Sequence, residues 1–167
     1  SIKLLEESAE LEPNAAYALS ALGIHYTFIY EYDKANQVFQ KYLDLRPDDV
    51  SAKFSLGLIY AKLKQFDKSE HLFEGLLKTY PDDLNIKLQL SDLYWNNNKI
   101  QESQVLIDQM IASKDNKMAG NFSKGLYYSR ANMLDSAVYF YNQAKKYFNG
   151  YCSICDNNIG HIYFVNN

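Results

Sequence analysis

Along this chain, residues of one character return every 34 positions. Gly23, Gly57, Ser91 and Gly125 are small, and Tyr26, Tyr60, Tyr94 and Tyr128 are aromatic. Ala35, Ser69, Ser103 and Ala137 are small again, and Phe39, Phe73, Ile107 and Tyr141 are large. The prolines keep the same step, at Pro13, Pro47 and Pro81. After one inserted residue the register resumes with Gly160 and Tyr163. A period of this length marks a helix–turn–helix solenoid, in which each unit buries its apolar face only against its neighbours.

The pattern predicts full repeats over residues 16–49, 50–83, 84–117 and 118–151. The end of a preceding repeat falls on 1–13, with a helix over 1–11 and Ser1, Leu5 and Pro13 in register. The first helix of a further repeat falls within 152–167. Small residues at the Gly23 and Ala35 positions let two helices approach closely, and the Tyr26 position fills the gap between neighbouring repeats. Pro47 and Pro81 end second helices, because proline has no N–H to donate and its ring clashes with the preceding turn. Asp48, Asp49, Asp82 and Asp83 then suit the next helix start, by capping and by the helix dipole. Short inner turns are expected at 31–33, 65–67, 99–101 and 133–135. No linker divides the chain, so it reads as one repeat domain, with the polar stretch 113–118 as its thinnest point. Both ends fall mid-repeat, which suggests a piece of a longer array. The face bearing Ile159 and Tyr163 would then lack its covering helix.

Leu22, Gly23, Tyr26, Ala35, Phe39 and Pro47, followed one period later by Leu56, Gly57, Tyr60, Ser69, Phe73 and Pro81, resemble the tetratricopeptide repeat family. The third repeat departs from that pattern with Asp115 in place of proline, and the fourth with Lys124 in place of an apolar residue. The resemblance implies an all-α, right-handed α-solenoid of stacked antiparallel helical hairpins, whose first helices line a concave groove. It also implies which positions of each first helix meet a ligand. In the first full repeat these are Tyr17, Ser20, Ile24 and Thr27; in the second, Ser51, Phe54, Leu58 and Ala61. The third contributes Asn85, Leu88, Asp92 and Trp95, and the fourth Ala119, Phe122, Leu126 and Ser129. The partial repeat adds Ile154, Asn157, His161 and Phe164. Phe54, Leu58, Leu88, Trp95, Phe122 and Leu126 would make an apolar strip of the kind that marks binding surfaces. The competing reading is that curvature buries several of them as core. A clamp for a terminal carboxylate needs converging Lys, Asn and Arg donors. Ser20, Ile24, Ser55, Asn85 and Gln89 stand there instead, which argues against one.

Composition narrows the partners. Hydrophobic residues make up 47% and charged residues 22%, as in folded proteins and unlike disordered ones. With 17 basic and 20 acidic residues the net charge is −3, too balanced for a nucleic-acid partner. No basic amphipathic helix points to a membrane surface, and no run of about 18 apolar residues could insert into one. No leader segment stands at Ser1, and the compartment is left open.

Candidate chemistry is sparse. Cys152 and Cys155 form a C-x-x-C with His161 nearby, but a metal or redox site needs further ligands or a βαβ setting. The pair therefore reads as two small, half-buried residues at a helix start, and not as a disulfide framework. His25 and His71 read as packing or surface residues, and Asn121-Phe122-Ser123 as a chance glycosylation sequon. No phosphate loop, nucleophile elbow or zinc helix appears, so neither an enzyme nor a cofactor is expected. The leading expectation is a scaffold that binds another protein or an apolar peptide. The alternatives are a spacer that self-associates through its uncovered C-terminal end, or the recruiting region of a larger regulator or enzyme.

Overall fold

The computed structural model describes residues 15–165. The helix expected over 1–11, with Ser1, Leu5 and Pro13, lies outside the described residues. Among those described, the chain forms nine α-helices and no strand. They are α1 (Ala15–Phe28), α2 (Tyr32–Leu45), α3 (Val50–Lys62), α4 (Phe66–Thr79) and α5 (Leu84–Asn96), then α6 (Ile100–Ala112), α7 (Lys117–Arg130), α8 (Leu134–Lys145) and α9 (Ser153–Val165). A 3-10 turn, Lys146–Phe148, follows α8. The helices gather into two compact units, the first closing at Asn97 and the second opening at Asn98. The division falls inside the third repeat and not at 113–118. That repeat is the one carrying Ser91 and Ile107 where the others have a glycine and an aromatic ring.

In the first unit α1 packs on α2, α2 on α3, α3 on α4 and α4 on α5. Leu22, Tyr26, Phe39, Leu56, Ile59 and Tyr60 form a shared core. The register positions point inward because the two helices of a hairpin meet there without intervening side chains. A Cβ added at Gly23 would stand 2.8 Å from the Phe39 ring, and one at Gly57 2.8 Å from the Phe73 ring. Only hydrogen fits between such a helix and the ring over it. Opposite Gly57, the buried Ser69 hydroxyl donates to the Gly57 carbonyl at 2.7 Å, which satisfies a polar group the close approach has desolvated.

Tyr60 and Tyr94 each tie their hairpin to the one before it. The Tyr60 hydroxyl accepts from the Gln40 amide at 3.0 Å, and the Tyr94 hydroxyl donates to Glu74 at 2.8 Å. Gln40 and Glu74 are one period apart. The Lys34 and Lys68 ammonium groups lie over the Tyr26 and Tyr60 rings, 5.5 and 5.4 Å from their centroids, so each ring is also covered from its own hairpin.

Of each aspartate pair, the second is the cap. Asp49 accepts from the Ala52 N–H at 2.9 Å and Asp83 from the Ile86 N–H at 3.0 Å. Tyr42 donates to Asp49 at 2.6 Å. That bond, with the Ala52 N–H behind it, holds the Asp49 carboxyl below the usual carboxylate range. The same bond and partial burial push the Tyr42 phenol up.

The inner turns depart from expectation. They are built around a residue in the left-handed region, Tyr30 (φ 63°), Lys64 (φ 58°), Asn98 (φ 59°) and Asn132 (φ 58°), ahead of the predicted positions. In the second repeat the Gln65 N–H returns to the Tyr60 carbonyl at 2.8 Å and the Lys64 N–H to the Ala61 carbonyl at 3.1 Å, a Schellman closure. Glu31 and Met133 bond to Tyr26 and Tyr128 in the same way. The second helices start at Tyr32, Phe66, Ile100 and Leu134 with no side-chain cap.

In the second unit α6 packs on α7, α7 on α8 and α8 on α9. Ala137, Tyr141 and Ala144 are fully buried, and a Cβ at Gly125 would stand 2.6 Å from the Tyr141 ring. Burial pushes the Tyr141 phenol up. Lys124 is accommodated where an apolar residue belongs because its ammonium pairs with Asp108 across the helix interface.

Candidate protein-interaction site

The positions assigned to ligand contact fall into two groups. Tyr17 and Ile24 on α1, Asp92 on α5 and His161 on α9 are exposed. Phe54 and Leu58 on α3, Leu88 and Trp95 on α5, and Phe122, Leu126 and Ser129 on α7 are half-buried. Several of the latter serve packing and surface together. The Phe54 ring meets the Phe73 ring edge-on at 5.2 Å, and Phe122 lies 5.6 Å from Tyr141. Leu126 packs against the second unit's core, and the Ser129 side chain hydrogen-bonds to Tyr141.

The first unit brings a subset of these residues together. One depression of about 470 Å³ lies between the starts of α3 and α5, with Ser51, Phe54 and Ser55 on one wall and Asn85, Ile86 and Gln89 on the other. A second, of about 510 Å³, continues along the same helices, bounded by Thr27, Leu58, Ala61, Gln89, Asp92 and Asn96. Gln89 borders both. The lining is more polar than an apolar strip. Phe54, Leu58 and Ala61 supply its greasy part, while Asn85, Gln89, Asp92 and Asn96 supply polar groups spaced along α5. Among the described residues, the Asn85 and Gln89 carboxamides have no hydrogen-bond partner. The family resemblance implied ligand contact for Phe54, Leu58 and Asp92, which border these depressions, but gave Gln89 no role beyond the absent clamp. Leu88 and Trp95 line neither depression.

The cysteines correct one expectation. Cys155 does take the buried position equivalent to Ala18, Ala52 and Ile86, but its sulfur is bonded to Cys152 in a disulfide across three residues. The Cys155 N–H also points at the Cys152 sulfur, 3.2 Å away, at the first turn of α9. Among the described residues no three His, Cys, Asp or Glu side chains cluster as metal ligands. Asn121 is buried and its amide donates to the Lys117 carbonyl at 2.7 Å, so the sequon asparagine is engaged in the helix. No described helix is long and apolar enough to cross a membrane.

Comparison with known proteins bears on the fold. Residues 30–83 match a tetratricopeptide repeat family model. No curated protein matches the chain. Among solved structures, MamA residues 41 to end from Desulfovibrio magneticus RS-1 is similar at 21% identity, covering 87% of this chain and 82% of that one with a TM-score of 0.74. A further MamA crystal structure gives 18% identity, 87% and 85% coverage and a TM-score of 0.73. MamA AMB-1 gives 19% identity, 90% and 89% coverage and a TM-score of 0.70. At these identities the likeness is one of fold, the all-α solenoid of antiparallel hairpins. Residues 30–83 thus carry a tetratricopeptide repeat, and the same register of small and large positions runs on through Gly125 and Tyr141.

Proposed function

We propose that the chain is a protein-binding scaffold that takes a peptide segment of its partner along α1, α3 and α5 of the first unit. The observation that carries this reading is Gln89, whose unpartnered carboxamide joins two depressions into one track from Ser51 to Asn96. A carboxamide offers a donor and an acceptor, the pair needed to read a peptide unit of an extended chain. Asn85, one helical turn earlier on the same face, repeats that offer. Phe54 and Leu58 provide apolar footholds between them, where a partner side chain gains by leaving water. The ligand that suits this lining is a segment with spaced apolar side chains and an accessible backbone, and not one defined by a charged terminus.

Capture from an extract of the source cells tests the reading, comparing the wild type with a Gln89→Arg, Asp92→Arg variant. Both side chains reach the surface, so the helical circular dichroism of the variant should match the wild type. A partner held by the wild type and lost by the variant supports the groove. Equal capture by the two proteins refutes it.

A further inference from the structure

We propose that Cys152 and Cys155 form a thiol-exchange site, a disulfide that a dithiol reductant opens through Cys152 and a disulfide oxidant closes again. The site lies in the second unit and is independent of the groove along α1, α3 and α5.

The argument starts from the places the two cysteines hold in the repeat. After the one-residue insertion, Cys152 stands where Asp49 and Asp83 cap their helices. Those carboxylates accept the N–H three residues on, from Ala52 and Ile86, at 2.9 and 3.0 Å. The Cys152 sulfur accepts the Cys155 N–H in the same way, at 3.2 Å. A position that elsewhere holds an anion thus holds a sulfur, and the N–H and the helix dipole that favour a carboxylate there also favour a thiolate. Cys155 stands where α1 and α3 carry the buried alanines Ala18 and Ala52, so packing alone does not call for a cysteine.

The bridge also does little to hold the fold. It joins α9 to its own cap and to no other element. Closing a loop stabilises a protein more as the loop grows, and residues three apart restrain the unfolded chain very little. Cys155 and Ile162 already seat α9 on α8, at 0% and 6% exposure.

Burial decides which sulfur is attacked. Cys155 is inaccessible, whereas Cys152 is half-buried between the exposed Tyr151 and Ser153. A thiolate of the reductant attacks the Cys152 sulfur, the Cys152–Cys155 bond breaks, and Cys155 leaves as a thiolate that takes up a proton. The second thiol of the reductant then attacks its own sulfur in the mixed disulfide and expels Cys152 as a thiolate, which the Cys155 N–H receives. Two electrons pass to the pair, the reductant becomes a cyclic disulfide, and its remaining proton goes to solvent. A disulfide oxidant runs the same steps backwards.

Two measurements test this. First, the folded wild type is treated with dithiothreitol, then returned to oxidised glutathione, with thiols counted by maleimide mass tagging. Both cysteines should become free with the helical circular dichroism unchanged, and the bridge should re-form. Reduction that requires urea, or that collapses the helices, overturns the proposal. Second, Cys155→Ala, which takes the residue of α1 and α3, leaves Cys152 alone, and Cys152→Asp, which takes the cap of α3 and α5, leaves Cys155 alone. With dithiodipyridine the folded Cys155→Ala protein should react faster than the folded Cys152→Asp protein by about tenfold or more, and the two should react alike in urea. Equal rates in the folded proteins refute an exchange site entered through Cys152.

Discussion

Glycine has two opposite meanings in this chain, decided by what lies over it. Gly57 sits beneath the Phe73 ring, and Gly160 faces open space. Gly57→Ala forces a methyl into a filled contact and should cost about 2 kcal/mol, as overpacked cores do. Gly160→Ala only removes backbone freedom from a helix interior and should add about 0.5 to 1 kcal/mol. Urea midpoints of the two variants check the opposite signs. Lys64 is the other residue whose backbone decides matters, because its φ of 58° is one that a side chain disfavours. Lys64→Gly should raise stability by about 1 kcal/mol, measured in the same way. Asn98 and Asn132 hold the equivalent position with a side chain that tolerates it. These turns were not legible in the sequence because Tyr30 and Lys64 are poor turn formers and masked the period that the two asparagines keep. The buried register was legible, because Ala35, Ser69, Ser103 and Ala137 admit no role but close packing.

At the scale of the helix, starts and faces matter. The first helices of the second and third repeats begin at aspartate caps, whereas the second helices begin without a side-chain cap and depend on the Schellman turn before them. Asp83→Ala should cost about 1 kcal/mol, read from the thermal midpoint. Asp49 also receives the Tyr42 hydroxyl, and its folded pKa lies below the unfolded one. A lowered carboxyl pKa stabilises the fold above the unfolded value and loses that effect as pH falls through the folded value. Asp49→Asn should therefore lower stability at pH 7 and flatten its decline in acid, in urea titrations from neutral to strongly acidic pH. The pair Asp48-Asp49 announced a helix start in the sequence, but only geometry chose the second member. Faces were harder to read. The family resemblance marks Phe54 as a first-helix surface position and gives no sign that its ring also braces Phe73, because one side chain can touch both core and solvent. The disulfide was hidden for a related reason: C-x-x-C spacing is shared by metal, redox and ordinary packing positions, and only the fold brings the sulfurs together.

Across the molecule, the two compact units set how the chain should unfold. Repeat arrays are stabilised by neighbour contacts and lose two-state behaviour when one boundary is weaker than the rest. Trp95, the single tryptophan, belongs to the first unit, while far-ultraviolet circular dichroism reports helices of both. Tryptophan fluorescence and circular dichroism should give different urea midpoints, and coincident curves would show that the units unfold together.

The backward bonds of Tyr60 and Tyr94 bear on how such a chain changes in length. Each tyrosine finds its partner at one fixed position of the hairpin before it, a glutamine in one case and a glutamate in the other. Loss of residues 50–83 would place Tyr94 against Gln40, a pairing of the same kind as the one it left. A deletion of any other size would set the tyrosine against the wrong turn of the helix. Copy number is therefore a variable that inheritance can alter safely in this stretch: the period 50–83 can be dropped by recombination while the pairing at the new junction stays of the same kind.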